Sequence, residues 1–317
     1  MCRKACGFDS HIPHSLYHFD ADSPFIKMTT SPRIAVIIPT FNRVQTLLAC
    51  LESVYAQSDL SLQAIVVNDG SKDGTSEKVR DAFPQAHIVE GDGNLWWAGA
   101  INAGLRKALA ADFDYFLLLN DDNLLAPGAV EHLLAYTQDH PGTITGSLVR
   151  LKDTDLISDA GVAINWWRAG PYLKDFKQPY YPGKYPAIMP ADALAGQGVL
   201  LSREHLNRVG LLHDRQFPQY FGDTDFYLRA RANGFQVVVN TASAVWNNPP
   251  NRPKSPRPVN LKEAITRFIR LYTWPGSPYN LAVNARFWWR YCPKYMLPVT
   301  AIYRLLSSLR YFVKKNF

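Results

Sequence analysis

"LLLNDDNLLAPGAV", residues 117–130, joins three leucines to a knot of carboxylates and amides. The apolar run reads as a buried strand, and Asp121 beside Asp122 at its end sets two like charges against each other, which calls for a compensating partner. A divalent cation is one candidate: Mg2+ or Mn2+ wants oxygen ligands and often takes only one or two carboxylates beside a substrate's phosphates. A solvated turn that caps the next helix is the other.

This strand has companions. "RIAVIIPTFNR" (33–43) predicts a strand over Ile34–Ile38, and Val44, Leu47, Leu48, Leu51 and Val54 then recur at helical spacing over 44–57. "LQAIVVNDGSKDGT" (62–75) is a second strand running into a polar, Gly-rich turn, with a helix to about Phe83; "AHIVEGD" (86–92) is a short third strand. "NLWWAGAINAGLRKALA" (94–110) begins as a loop and becomes a helix, "DYFLLLNDDN" is the fourth strand, and 127–138 is a helix with Pro127 near its start, where a missing N–H costs little. Near-continuous apolar strands alternating with helices predict an α/β fold, a mostly parallel sheet covered on both faces. Ligands of such sheets bind beyond the carboxyl ends of the strands. Thr40–Arg43, Asn68–Ser71 and Asn120–Asn123 all lie there, so three polar clusters are expected to line one pocket.

Beyond residue 143 the pattern loosens into aromatic, Pro-rich stretches such as "QPYYPGKYP", read as an acceptor-side insertion with short antiparallel strands. A strand and helix follow over 195–210, a loop and helix over 220–234, and one more strand in "FQVVVN"; "NNPPNRPKSPRP" (247–258) reads as a flexible loop. Helices are predicted over about 261–272, 279–290 and 297–315. The expected domains are a disordered extension over 1–30, a catalytic domain over 31–250 made of a nucleotide-binding part (31–142) and an acceptor-binding part (143–250), and a basic, aromatic tail over 251–317.

The chain's 317 residues, 47% hydrophobic and 19% charged, suffice for a large core. Four cysteines without framework spacing read as a reducing compartment. Residues 1–30 carry no apolar leader segment, Met28 is a candidate start, and Cys2, Cys6, His11, His14 and His18 match no familiar zinc spacing. The net charge of +7 is uneven: residues 260–317 hold ten Lys/Arg and one Glu, which leaves −2 for the rest. The tail is therefore expected to meet phosphates, most plausibly lipid headgroups. No groove-reading motif supports a nucleic-acid partner.

In "VVNDGSKDGT" Asp69 is placed to accept from a base N–H or a ribose hydroxyl, unless the stretch is a plain turn. Gly91-x-Gly93 lacks the rest of a dinucleotide fingerprint. Asn94 and Trp97 are candidate substrate contacts, and Trp96 and Trp97 either line a sugar or base pocket or pack in the core. In "YFGDTDFYLR" Asp223 is a candidate general base, with Asp225 to orient it, touch substrate or cap the helix.

Taken in order, "AVIIPTFNR", "VVNDGSKDGT", "LLLNDDN" and "GQGVLLSREHLNRVGLLHDRQFPQYFGDTDFYLRARANG" resemble the motifs of a family-2 glycosyltransferase with the GT-A fold, over about residues 33–247. "NLWWAGAINAGL" is similar to the rhamnosyl- and galactofuranosyltransferase-like members. The resemblance implies an inverting transfer from a nucleotide-diphosphate sugar to a glycan or lipid-linked acceptor, with Mg2+ or Mn2+. It implies that Asp69 binds the nucleotide base with Thr40 and Arg43 nearby, that Asp122 ligates the metal, that Asp121 contacts ribose or metal, and that Asp223 is the catalytic base. Relatives place a metal-binding His after a Trp near the last strand; here Trp246 is followed by Asn247, a weaker, neutral ligand. The implied setting is cell-surface polysaccharide synthesis in the cytoplasm, at the inner face of the plasma membrane. The stripe Val299, Ile302, Leu306, Leu309 and Val313, flanked by Arg304, Arg310, Lys314 and Lys315, is expected to lie in the membrane interface unless it packs on the catalytic domain. A non-catalytic nucleotide- or carbohydrate-binding relative is the rival reading, and a nucleotidyltransferase would not need the Asp223 block.

Overall fold

A strand covered on both faces has no polar side to show, and the first strand, β1 (Arg33–Thr40), is such a strand: Ile34–Ile38 are all fully buried. The computed structural model describes residues 31–57, 60–249, 258 and 260–316. Expectations for residues 1–30, including the Cys/His group, and for 250–257 lie outside them.

After β1 come α1 (Val44–Tyr55), β2 (Ser61–Asn68), α2 (Thr75–Ala82), β3 (His87–Glu90), α3 (Trp96–Leu109), β4 (Tyr115–Leu118), β5 (Asn123–Leu125) and α4 (Ala129–Asp139). Then follow β6 (Thr143–Leu151), β7 (Ile157–Asp159), β8 (Val162–Asn165), β9 (Gly170–Leu173), β10 (Ile188–Pro190), β11 (Val199–Ser202), α5 (Arg203–Val209), α6 (Gly222–Ala232) and β12 (Gln236–Asn247). The tail forms α7 (Leu261–Thr273), α8 (Leu281–Tyr291) and α9 (Leu297–Asn316).

The main sheet runs β10-β12-β6-β11-β4-β1-β2-β3. Alternate residues of β1 serve opposite cores. Ile34, Val36 and Ile38 join Leu47, Leu51 and Val54 of α1 and Leu133 of α4, whereas Ala35 and Ile37 join Ile101 and Leu105 of α3 and Phe226 of α6. Each such fully buried Ile or Leu contributes about 1.5–3 kcal/mol. Ile37 pairs with Leu118 and Thr40 with Asn68 in parallel register, so the polar turns after β1, β2 and β4 emerge along one edge.

Three features depart from the expected pattern. β11 runs antiparallel between β4 and β6. Its Val199 and Leu201 face one core and Leu200 the other, so its apolar run carries no mark of direction. β6, expected only as part of a loosened segment, is a nine-residue strand parallel to β12. Its buried Thr145 and Ser147 disguised it; the fold satisfies them through Thr137 at 3.1 Å and Ser243 at 2.7 Å. β5, a three-residue strand unforeseen in the sequence, pairs with the end of β12 and sets Asn123 opposite Asn247.

Pro32–Phe317 form one compact unit. The tail joins the sheet-bearing part through Phe287 of α8, whose ring stacks on Phe221 at 4.5 Å and meets Phe217 edge-on at 6.1 Å.

Candidate active site

The two aspartates after β4 are answered first by a cation of the chain itself. Arg43, just ahead of α1, donates from Nη1 to Asp121 Oδ1 at 2.8 Å and to Asp122 Oδ2 at 3.2 Å. Thr40 at the end of β1 donates to Asp121 Oδ2 at 2.8 Å. Burial, with Asp122 alongside, pushes the Asp121 carboxyl up to about 6 against the pull of Arg43 and Thr40. Asp121 is 3% exposed with both oxygens committed. Asp121, expected to contact ribose or metal, holds Thr40 and Arg43 in place.

No side chain among the described residues donates to the other oxygen of Asp122; across β5 and β12, Asn123 faces Asn247 and the Asn248 N–H donates to the Asp122 carbonyl at 2.7 Å. Gln197 Oε1 accepts from Asn123 Nδ2 at 3.0 Å and from Asn247 Nδ2 at 2.9 Å. That fork orients the Asn247 amide and leaves its Oδ1 buried with no hydrogen-bond partner among the described residues. An unsatisfied buried acceptor costs about 1–3 kcal/mol, a penalty that a bound cation would remove. Asp122 and Asn247 thus fit a hard divalent ion as part of its ligand shell. No group of three or more His, Cys, Asp or Glu able to hold a metal occurs among the described residues, so substrate oxygens would complete the shell.

Asp69 follows β2 and is used inward. Its Oδ1 accepts from the Gly93 N–H at 2.8 Å and its Oδ2 from the N–H groups of Leu95 at 3.0 Å and Trp96 at 3.2 Å. This carboxylate, expected to meet a base, pins the 91–96 loop. The glycines follow from that closeness: a Cβ on Gly91 would lie 2.7 Å from Asp69 Oδ1, and one on Gly70 would lie 2.9 Å from the Gly93 nitrogen. Asn94 is exposed at the loop's tip. Trp96, at φ +57°, meets Trp274 of the tail edge-on at 5.7 Å.

Trp97 ties this loop to both ends of the groove. Its Nε1 donates to Asn120 Oδ1 at 2.8 Å, its backbone N–H donates to Gln219 Oε1 at 3.3 Å, and its ring lies where any side chain at Gly196 would stand. Gln219 leads into α6, whose first turn carries Asp223. This carboxylate is half-buried; its Oδ1 accepts from the Thr224 N–H at 2.6 Å and hydroxyl at 3.3 Å, and no side chain among the described residues donates to Oδ2. Burial raises its pKa to about 6 against those hydrogen bonds.

Asp225, expected to orient Asp223, touch substrate or cap the helix, is tied to α8. It is fully buried, accepting at Oδ1 from Arg290 and the Tyr291 hydroxyl, both at 2.7 Å, and at Oδ2 from Arg229 at 2.9 Å, with His213 Nδ1 at 2.8 Å. Burial would raise its pKa, but Tyr291, Arg229 and Arg290 outweigh that and hold it below the ordinary carboxylate range. It clamps α6 to α8.

Asp159 at the end of β7 was missed in the sequence. It is 3% exposed, its Oδ1 has no hydrogen-bond partner among the described residues, and burial together with the charge of Asp223 pushes its pKa up to about 7. The Tyr227 hydroxyl, one turn beyond Asp223, is likewise buried and unpartnered. A lone acid in an irregular segment gives no pattern to find.

The "Glycosyl transferase family 2" model matches residues 35–187. Over this stretch the chain carries a family 2 glycosyl transferase domain. Among its relatives, an uncharacterized glycosyltransferase of Rickettsia typhi is 32% identical over 104 residues, 33% of this chain and only 31% of that protein's length. The glycosyltransferase YwdF of Bacillus subtilis is 29% identical over 68% of this chain and 74% of its own. The N-acetylglucosaminyl-diphospho-decaprenol L-rhamnosyltransferase of Mycobacterium tuberculosis is 22% identical over 67% and 75%. Two solved structures share the GT-A fold. GalNAc-T7 with UDP, GalNAc and Mn2+ has a TM-score of 0.58 at 16% identity, over 78% of this chain and 49% of that one. The Pyrobaculum calidifontis mannosyltransferase with GDP-Man and Mn2+ has a TM-score of 0.53 at 18% identity, over 87% and 74%.

Proposed function

We propose that the chain transfers a sugar, with inversion, from a nucleotide-diphosphate donor to a glycan or lipid-linked acceptor. The observation that carries this reading is Asp223: a half-buried carboxylate with a pKa near 6 and one oxygen open, joined through Gln219, Trp97 and Asn120 to the Asp121–Asp122 turn. The donor lies across the strand ends, its sugar toward Trp97 and Asn94 and its diphosphate toward Asp122, Asn247 and Arg43. Asp223 takes the proton of an acceptor hydroxyl. The acceptor oxygen bonds to the anomeric carbon from the face opposite the diphosphate, and the carbon–oxygen bond to the diphosphate breaks with its electron pair leaving on the nucleotide. A Mg2+ or Mn2+ ion held by Asp122 and Asn247 would neutralise the charge growing on that leaving group. Asp121 and Asp69 position Arg43, Thr40 and the 91–96 loop.

The decaprenol-linked substrate named for the mycobacterial relative supports a lipid-linked acceptor here and a place in cell-surface polysaccharide synthesis, at the cytoplasmic face of the plasma membrane. The two Mn2+ complexes of shared fold support a divalent cation. A panel of nucleotide sugars with Mg2+ or Mn2+ tests the reading. One donor is expected to stabilise the full chain by about 2.7 kcal/mol at a hundred times its Kd and to release nucleoside diphosphate when acceptor is added. A donor that stabilises and is never turned over, with any acceptor, indicates a non-catalytic binding protein instead.

A further inference from the structure

A surface helix of a folded protein turns its apolar stripe inward. α9 does the reverse. The buried residues of this helix are Thr300, Ser308 and Asn316, and the half-buried Arg304 falls on the same stripe. All four have polar partners. Thr300 donates to the Trp166 carbonyl at 2.9 Å, Arg304 donates to Asn284 Oδ1 at 3.1 Å, Ser308 shares a hydrogen bond with the Tyr272 hydroxyl at 2.7 Å, and Asn316 Oδ1 accepts from Arg267 at 3.3 Å. These polar contacts hold the helix to the rest of the molecule together with the rings of Phe312, edge-on to Phe268 at 5.2 Å, and Tyr311, tilted against Tyr279 at 5.3 Å.

Its apolar side is left outside. Ile302, Leu305, Leu306, Leu309 and Val313 are between 38% and 60% exposed. α7 adds Ile265 and Ile269, half exposed and one turn apart, and Trp289 and Tyr295 near the α8–α9 junction are 70% and 81% exposed. Isolated apolar residues on a surface mean little, but so dense a set on one short segment marks a contact with something apolar. What surrounds it is cationic: Arg310, Lys314 and Lys315 are exposed at the end of α9, and Lys294 lies over the Trp289 ring at 4.0 Å. The segment from residue 260 on carries ten Lys/Arg against a single Glu. Apolar side chains flanked by basic and aromatic ones match the chemistry of an anionic bilayer surface, where rings sit at headgroup depth and cationic ends reach phosphates. Twenty residues make a rod about 30 Å long, yet no helix of the described residues is long and apolar enough to cross a membrane.

We propose that α9 is a membrane-docking helix that lies flat in an anionic lipid surface, with Ile302, Leu305, Leu306, Leu309 and Val313 among the acyl chains and Arg310, Lys314 and Lys315 on headgroup phosphates. Trp274 of the tail meets Trp96 of the 91–96 loop edge-on at 5.7 Å, which links the tail to that loop. The proposal specifies a partner for the reading above but stands without it: Asp223→Asn lowers turnover and leaves docking untouched.

Flotation of the full chain with phosphatidylcholine vesicles, with and without phosphatidylglycerol, tests it. The chain is expected to float with the anionic vesicles and to fall back toward the aqueous fraction as salt is raised. Combined Ile302→Glu, Leu306→Glu and Leu309→Glu should cut vesicle partitioning by at least about 10²-fold with the melting temperature unchanged, because these side chains face out. Combined Arg310→Glu, Lys314→Glu and Lys315→Glu should lower partitioning on anionic vesicles by about 10²-fold or more and on neutral ones little. A chain that stays in the aqueous fraction with both vesicle types overturns the proposal. So does a dimer in solution that the first triple variant splits, since the face would then meet a second copy.

Discussion

Asp223→Asn lowers sugar transfer by about 10²–10⁴-fold with the fold and donor binding intact, the range that loss of a general base removes. Thr224 still donates to the amide oxygen, so the first turn of α6 keeps its geometry. The base must be unprotonated to act, and burial raises its pKa to about 6. The wild-type kcat/KM should therefore fall by one proton's slope as pH drops through about 6, two pH units above the usual aspartate range near 4. The residual activity of Asp223→Asn should lack that limb. Full turnover in the variant, or an acid limb that survives in it, would remove Asp223 from the reaction.

Asp225→Ala acts on stability. The side chain is wholly buried and receives Arg290 and Tyr291 from α8 and Arg229 from its own helix. Its removal leaves Arg229 with only the Val209 and Leu211 carbonyls and Arg290 with only Gln216 and His213, and should cost about 1–3 kcal/mol in chemical unfolding. Because those donors hold its carboxyl below the ordinary range, the folded state favours its charged form. That contribution is complete above about pH 4 and drains as the pH falls below it. The acid-unfolding midpoint of the wild type should thus lose part of its steepness in the variant. Lost turnover at unchanged stability would mean that Asp225 serves the chemistry and not the joint between α6 and α8.

The contrast between these neighbouring aspartates shows where sequence reading stops. The doubly covered strands were plain in Ile34–Ile38 and in the run before Asp121, since burial on both faces leaves no other composition. The direction of β11 was hidden because Val199, Leu200 and Leu201 are buried whichever way they run. β6 was hidden because Thr145 and Ser147 look like surface residues until Thr137 and Ser243 arrive from distant segments. In the site, the residue types were legible but not what each would face. Asp69 was sought by a ligand and is taken by three N–H groups of its own chain; Asp121 was sought by a metal and is taken by Thr40 and Arg43. Asp225 finds Arg290 and Tyr291 some 65 residues on, a distance over which one sequence shows no pairing. The Asn at 247, which reads as a weaker metal ligand, carries an oriented amide oxygen with no hydrogen-bond partner among the described residues.

That oxygen and Asp122 lead to the most direct measurement: calorimetric titration of the full chain with a nucleoside diphosphate, with and without Mn2+, in the wild type, Asp122→Ala and Asp223→Asn. Expected is binding that needs Mn2+ in the wild type and in Asp223→Asn, and that weakens by at least about tenfold in Asp122→Ala, the lower end of what even a supporting residue around a metal contributes. Equal affinity in all three proteins, indifferent to Mn2+, would contradict a diphosphate held through a metal at the end of β4.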